Sequence, residues 1–157
     1  MRHLLALLPT LPLLAAACTG TSATDGGSGS SSSGSGCLAS AAVGTEIGSD
    51  DGGALRVKLL GLVPDPPVKG DNTWTVEAHG AGGAPFVDGT LVLRPFMPLH
   101  AHGTNPARFD GTLTDGGAWV FPPFDPFMPG RWEIRFSAEA DGGVPGGSVV
   151  FHACIDG

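Results

Sequence analysis

The chain has 157 residues and a formal net charge of −7, and only 15% of its residues are charged; this length suits one domain. Gly and Pro are frequent, at 26 and 14 residues, but much of the glycine lies in one early tract, so the composition does not make the whole chain disordered. The acidic balance without a basic stripe argues against nucleic-acid binding. No apolar run after the N-terminus approaches the roughly 20 residues that span a bilayer.

Residues 1–17 have the pattern of a cleaved export signal: a short basic head, an apolar run, and alanines directly before Cys18. The end of this segment, Leu14-Ala15-Ala16-Ala17-Cys18, resembles a bacterial lipobox, although Ala15 stands where leucine is usual. The resemblance implies that Cys18 receives a diacylglycerol and becomes the mature N-terminus, which makes the protein a lipoprotein. The alternative is ordinary secretion, with cleavage after Ala17 and a free thiol.

Residues 18–36 are predicted to be the lipidated cysteine followed by a flexible Gly/Ser tether with a reach of roughly 20–25 Å. Such a tether is useful when one end is fixed to a membrane and the other must stand clear of it. We therefore expect a lipid-anchored protein of the cell envelope that faces the periplasm. Thr19 rather than Asp follows the cysteine, which by analogy with other bacterial lipoproteins favours the outer membrane.

Two cysteines frame the remaining domain, residues 37–157. In an oxidising compartment paired cysteines usually form disulfides, so the sequence predicts a bridge between Cys37 and Cys154. Closing a loop of this size stabilises a small domain by roughly 4–5 kcal/mol on the chain-entropy model. The alternative is that Cys154 acts as a thiolate metal ligand together with His152, two residues before it.

Short segments with alternating apolar and polar residues recur through this domain and are separated by Gly, Pro and Asp. They predict an all-β fold, an immunoglobulin-like β-sandwich of about seven short strands. Trp74, Trp119 and Trp132 are the predicted core anchors, with a ligand-stacking platform as the alternative. The predicted strands are residues 55–59, 74–79, 91–93, 107–114, 118–121, 131–138 and 148–154.

Apart from the initiator, the chain has two methionines, Met97 and Met128, and each lies in a Pro-Phe-Met-Pro tetrapeptide. The first tetrapeptide is followed closely by His100 and His102, which point to one side of an extended strand because they are two residues apart. Thioethers and imidazoles are the soft and borderline ligands that suit Cu(I) and Cu(II).

These motifs resemble the YtkA-like domain family, which is related to FixH-type proteins, over about residues 55–140. The resemblance implies an exported β-sandwich, linked in some members to copper handling or cytochrome oxidase assembly, and it implies Met97, His100, His102 and Met128 as candidate ligands of a copper ion. The matching motifs are Gly70-x-Asn72-x-Trp74-x-Val76, Met97-Pro98-x-His100-x-His102-Gly103 and Met128-Pro129-Gly130-x-Trp132.

A shared site requires the two tetrapeptides to lie at the same end of the sandwich. They do so if residues 95–106 form a loop, which the prolines in that range favour, and they do not if residues 99–103 form a full strand of a meander. A turn or bulge at Pro98 is also required. In the alternative, both methionines fill gaps beneath turns, residues 128–131 form a type II turn, and both histidines are exposed polar residues.

Catalysis is not expected, because the sequence offers no candidate nucleophile with an oriented base. The leading hypothesis is a lipid-anchored extracytoplasmic domain that binds a copper ion or delivers it to a cytochrome oxidase or another envelope protein. The alternative hypothesis is a metal-free protein-interaction module of the cell envelope.

Overall fold

The computed structural model describes residues 37, 40–49, 53–139 and 145–156. The signal peptide, the lipidated Cys18 and the tether predicted for residues 1–36 lie outside the described residues.

Ten strands occur in those ranges, together with a three-residue 3₁₀ helix at Ala81–Gly83. No helix of the described ranges is long and apolar enough to cross a membrane. The strands are β1 (Glu46–Gly48), β2 (Leu55–Val63), β3 (Thr73–Gly80), β4 (Thr90–Met97), β5 (His102–Gly103), β6 (Phe109–Asp110), β7 (Thr112–Leu113), β8 (Ala118–Val120), β9 (Gly130–Glu139) and β10 (Pro145–Ile155).

The strands form two antiparallel sheets, which confirms the predicted β-sandwich. Sheet I has the order β1-β2-β3-β8-β7, and sheet II has the order β10-β9-β4-β5, with β6 also paired to β4. Each sheet turns alternate residues inward, because successive side chains of a strand point to opposite faces. In β9, for example, Trp132, Ile134 and Phe136 are buried while Arg131 and Arg135 are exposed.

The core between the sheets is rich in aromatic rings. Trp74, Trp119 and Trp132 are all at most 3% exposed, so they are core anchors as expected, and the alternative of an exposed stacking platform is wrong. A buried aromatic side chain removes about 150–250 Å² from water, which at about 25 cal/mol per Å² is several kcal/mol of gross stabilisation each.

Strand β4 extends further than the sequence indicated, through Pro95 to Met97. We expected Pro95 to lie in a loop, because proline cannot donate to a ladder. On one side β4 pairs with β9 from Thr90 to Phe96, including Pro95 with Ile134. On its other side β4 pairs with β6 at residues 92–93 and with β5 at residues 96–97, so the proline lies where one edge of the strand changes partner.

The sequence predicted one strand over residues 107–114. The structure instead has two short strands in this range, β6 in sheet II and β7 in sheet I. The chain crosses between the sheets at Gly111, whose N–H donates to the carbonyl of Leu91 over 2.9 Å. A Cβ at this position would lie 2.9 Å from the ring of Phe121 and 3.1 Å from that of Trp119. Only glycine therefore lets the backbone pass so close to the aromatic core.

Cys37 and Cys154 form the predicted disulfide, with their Cα atoms 5.7 Å apart. The segment that follows Cys37 is also fixed to β10 by hydrogen bonds. The N–H of Cys154 donates to Ser40 Oγ over 2.7 Å, and the N–H of Ala41 donates to the carbonyl of His152 over 2.8 Å. The alternative role of Cys154 as a thiolate metal ligand is wrong, because its sulfur is bonded to that of Cys37.

Candidate metal site

The first Pro-Phe-Met-Pro segment ends in a tight hairpin. Strand β4 stops at Met97, residues 98–101 form the turn, and His102 pairs directly with Met97 across the hairpin. The N–H of His100 lies 3.3 Å from the carbonyl of Met97, and Ala101 adopts a positive φ of 55°. The structure thus contains the turn at Pro98 that a shared site requires, in a form more compact than either the long loop or the meander.

The second Pro-Phe-Met-Pro segment leads directly into β9, which begins at Gly130. Gly130 has a φ of 127°, and a Cβ placed on it would lie 2.8 Å from the terminal methyl carbon of Met97. The side chain of Met97 therefore packs against the backbone just after Met128 and Pro129. The two tetrapeptides, about thirty residues apart in the chain, lie at the same end of the sandwich.

The ring of His102 is held among aromatic neighbours. It stacks on Phe127 with ring centroids 5.1 Å apart and planes 16° apart, and it meets the edge of Trp132 at 5.7 Å. Its Nδ1 lies 3.2 Å from the carbonyl of Gly103. In the tautomer that donates from Nδ1 to this carbonyl, Nε2 keeps its lone pair available to a ligand.

The second imidazole, that of His100, stacks beside His102 with ring centroids 5.9 Å apart and planes 25° apart. His100 is exposed and His102 is half-buried. Metal–nitrogen bonds are about 2 Å long, so both rings would hold one ion only after the exposed imidazole of His100 turned toward that of His102. The two histidines are neighbouring imidazoles, one exposed and one half-buried.

The two methionines differ in access. Met97 is 1% exposed and belongs to the hydrophobic core, whereas Met128 is partly buried and packs against the edge of that core. The carbonyl of Met128 accepts a 2.9 Å hydrogen bond from Nε1 of Trp132, which fixes the backbone beneath the thioether. Met97 thus has the environment of a packing residue, and Met128 is the thioether nearer to the surface.

In the described part of the chain, no three His, Cys, Asp or Glu side chains are grouped so that they could hold a metal ion. The other two histidines in the described ranges have separate partners, since His79 lies 3.4 Å from Glu77 and His152 contacts Arg131. Any site at this end therefore depends on the imidazole pair together with thioether sulfur, a donor set that suits copper and lacks the carboxylates that hard cations prefer.

Sequence reasoning missed the part played by Phe127 and Trp132 as the walls around His102. The signal was present, because Phe127 precedes Met128 in the second tetrapeptide and Trp132 belongs to the motif that follows it. Apolar side chains around a metal ligand control solvent access and the local dielectric. The structure places the two predicted histidines as an imidazole pair in an aromatic setting, with Met97 buried and Met128 partly buried.

Comparison with known proteins adds no relative: no family model, no curated protein and no solved structure matches this chain. Fold and site together define a disulfide-linked β-sandwich with two histidines and two methionines at one end. The likeness to the YtkA-like family stays a prediction from the sequence motifs.

Proposed function

We propose that this protein binds a copper ion at the hairpin end of the sandwich. His100 and His102 would be the principal ligands, with Met128 as the thioether. The observation that supports the proposal is the convergence of the two Pro-Phe-Met-Pro segments, in which Met97 packs on Gly130 while the ring of His102 stacks on Phe127. In the proposed site, residues far apart in the chain would supply the soft and borderline donors that suit copper.

Met97 would lie beneath this site rather than coordinate the ion, because its thioether is buried in the core. Its contact with Gly130 would fix the spacing between the hairpin and the start of β9. A Met97→Leu variant should consequently keep copper affinity within about threefold. Met128→Leu, which removes a proposed ligand, should lower it by at least about tenfold, because losing even an outer-shell partner of a metal ligand costs that much.

The direct experiment is anaerobic titration of the purified protein with Cu(I) in competition with a chromophoric Cu(I) chelator. We expect one ion per chain, and we expect the double variant His100→Ala/His102→Ala to bind at least about a hundredfold more weakly, since it loses both imidazoles. His79→Ala is the matched control, because His79 is a histidine in the other sheet. Equal affinity in the double variant and the control would rule out the proposed ligands.

We further propose that the protein is anchored to the cell envelope by a lipid on Cys18 and delivers its ion to a cytochrome oxidase or another envelope protein. The lipobox-like sequence and the resemblance to YtkA-like domains support this. Cys18→Ser should move the protein from the membrane fraction to the soluble fraction, because acyl chains supply about 0.8 kcal/mol of membrane affinity per buried methylene. A Cys18→Ser protein that stays with the membrane contradicts the anchor.

One observation favours the alternative, a metal-free interaction module. Leu99 at the tip of the hairpin is 82% exposed, and the neighbouring Phe127 is 42% exposed, so the same rim presents apolar surface to a partner protein. Capture of the same envelope partner by the wild type and by His100→Ala/His102→Ala in the absence of copper would favour this function. Partner capture that requires both the histidines and copper would favour delivery of the ion.

A further inference from the structure

A half-open cavity of about 550 Å³ lies on the outer side of sheet II, next to the hairpin. Its walls come from three parts of the chain: the turn after β4, the start of β9, and the first cysteine of the domain. Pockets that hold small organic molecules have volumes of about 300–1,000 Å³, so this cavity has the size of a binding site. The lining residues are Cys37, Pro98, Leu99, Pro129, Gly130, Arg131 and Glu133.

Most of this lining is apolar. Pro98 and Leu99 form one wall and Pro129 another, and Leu99 exposes 82% of its surface. The disulfide with Cys154 holds Cys37 at the cavity, and Cys154 is the β10 neighbour of Arg131 in β9. Two of the walls are therefore fixed by the sheet and by the disulfide, and the third presents the exposed side chain of Leu99.

The charge in the cavity is unbalanced. The carboxylate of Glu133 is neutralised by Arg135, whose Nη2 and Nε donate to it over 2.7 and 3.0 Å. Arg131 makes no ion pair with any residue that the structure describes. Of the two charged lining residues, Glu133 therefore has an ion-pair partner, Arg135, and Arg131 has none among the described residues.

The guanidinium of Arg131 lies against the imidazole ring of His152. In the tautomer of His152 that carries its proton on Nε2, Nδ1 accepts from Nε and Nη2 of Arg131 over 3.3 and 3.1 Å. Since a guanidinium has five N–H donors, both N–H groups of Nη1 remain available. An arginine that is held in place and keeps free donors is suited to a carboxylate, which it binds through charge-assisted hydrogen bonds.

We propose that this cavity binds a small organic acid with an apolar body. Its carboxylate pairs with Arg131, and its hydrocarbon part packs against Pro98, Leu99 and Pro129. The site is separate from the candidate metal site, because neither His100 nor His102 lines the cavity. Ligand binding and copper binding are therefore distinguishable by mutation.

The test uses octanoate as the probe and octanol as its uncharged counterpart, each titrated into the full protein and followed by backbone amide shifts in NMR. Octanoate should saturate shifts centred on Gly130 and Arg131, and octanol should bind at least about tenfold more weakly, the scale of one hydrogen bond to a charged group. Arg131→Gln should weaken octanoate by a similar factor, and Leu99→Ser should weaken both probes.

Arg56→Gln is the matched control, since Arg56 is an exposed arginine on sheet I that lies 3.9 Å from Glu46. It should leave octanoate affinity unchanged. If Arg131→Gln alters the amide spectrum as a whole, Arg131→Lys provides the second variant, which keeps the charge and should bind with intermediate affinity. The proposal is overturned if octanoate does not saturate, if octanol binds equally well, or if Arg131→Gln binds octanoate as tightly as Arg56→Gln.

Discussion

At the scale of single residues, the three buried tryptophans satisfy their indole N–H groups differently. Trp132 Nε1 donates to the carbonyl of Met128 and Trp119 Nε1 to that of Phe86, over 2.9 and 3.0 Å. Trp74 Nε1 is buried and has no hydrogen-bond partner among the described residues. A buried unpaired donor costs about 1–3 kcal/mol, so Trp74 contributes less stability than its size suggests.

This difference predicts unequal effects of the same substitution. Trp132→Phe removes ring volume and also leaves the carbonyl of Met128 without its indole donor, whereas Trp74→Phe removes ring volume together with an unpaired donor. We expect Trp132→Phe to lower the free energy of unfolding by about 1–3 kcal/mol more than Trp74→Phe. Urea unfolding of both variants measures this, and equal losses would show that the hydrogen bond to Met128 carries no net stability.

Gly130 is a glycine at which both the backbone conformation and a close neighbour disfavour a side chain. Its φ of 127° is strained for an L-residue, and a Cβ would lie 2.8 Å from the terminal carbon of Met97. Gly117 is a matched control, since its φ is 81° but a Cβ there would meet nothing within 4 Å. Gly130→Ala should cost at least about 2 kcal/mol and Gly117→Ala about 1 kcal/mol.

The double variant Gly130→Ala/Met97→Ala separates the two causes, because it relieves the contact but not the backbone strain. We expect its loss of unfolding free energy to be smaller than the sum of the two single losses, as for residues in direct contact. Additive losses would show that Met97 does not press on Gly130, and the packing of the two tetrapeptides would then need another explanation.

At the scale of secondary structure, alternation of apolar and polar residues was sufficient to locate β2, β3 and β9, because each is long enough to repeat the two-residue period several times. The strands β5, β6 and β7 have two residues each and carry no period at all. Strand β1 was missed for a related reason, since its three residues include only one apolar side chain, Ile47.

The candidate site was predictable in its residue types but not in its geometry. Methionine and histidine beside proline indicated soft donors, yet whether they meet depends on the four-residue turn after Met97 and on its pairing with His102. The turn and this pairing both depend on the register in which β4 pairs with β9 on one side and with the short strands β5 and β6 on the other. Such register is fixed by contacts that are distant in sequence, so the local pattern could not decide it.

The outer face of sheet II carries an ion-pair ladder around Glu139. Arg108 donates to both carboxylate oxygens of Glu139 over 2.9 and 3.0 Å, and Arg94 donates to one of them over 3.1 Å. These hydrogen bonds, that of Arg108 foremost, lower the pKa of Glu139. The bonds to Glu139 and to Asp110 also raise the pKa of Arg108.

Because the pKa of Glu139 is lower in the folded protein than in the unfolded chain, the free energy of unfolding depends on pH. The contribution of Glu139 is present above the ordinary glutamate pKa of 4.5 and is lost as the pH falls through the lower value that the group has in the folded protein. Thermal unfolding between pH 7 and pH 3 should therefore show a smaller acid-induced loss in Glu139→Gln than in the wild type. Glu46→Gln is the control, because Glu46 has one ion pair, at 3.9 Å.

At the scale of the whole molecule, the disulfide joins the start of the domain to its last strand. β10 is the outermost strand of sheet II and pairs with β9 along most of its length. The segment after Cys37 is hydrogen-bonded to β10 before it reaches β1 of sheet I. The bridge therefore closes a loop that contains nearly every contact between the two sheets.

A cross-link over 117 residues acts mainly on the unfolded chain, whose entropy it reduces by the equivalent of about 4–5 kcal/mol. Cys37→Ser/Cys154→Ser should thus lower the free energy of unfolding by about that amount without altering the native sheets, and wild type in reductant should match it. Neither His100 nor His102 lines the cavity that contains Cys37, so the folded variant should bind Cu(I) as the wild type does. Octanoate, whose cavity includes Cys37, should bind more weakly. If the variant still shows native-like NMR spectra but binds neither Cu(I) nor octanoate, the bridge positions the whole hairpin end of the sandwich, and not only the wall of the cavity.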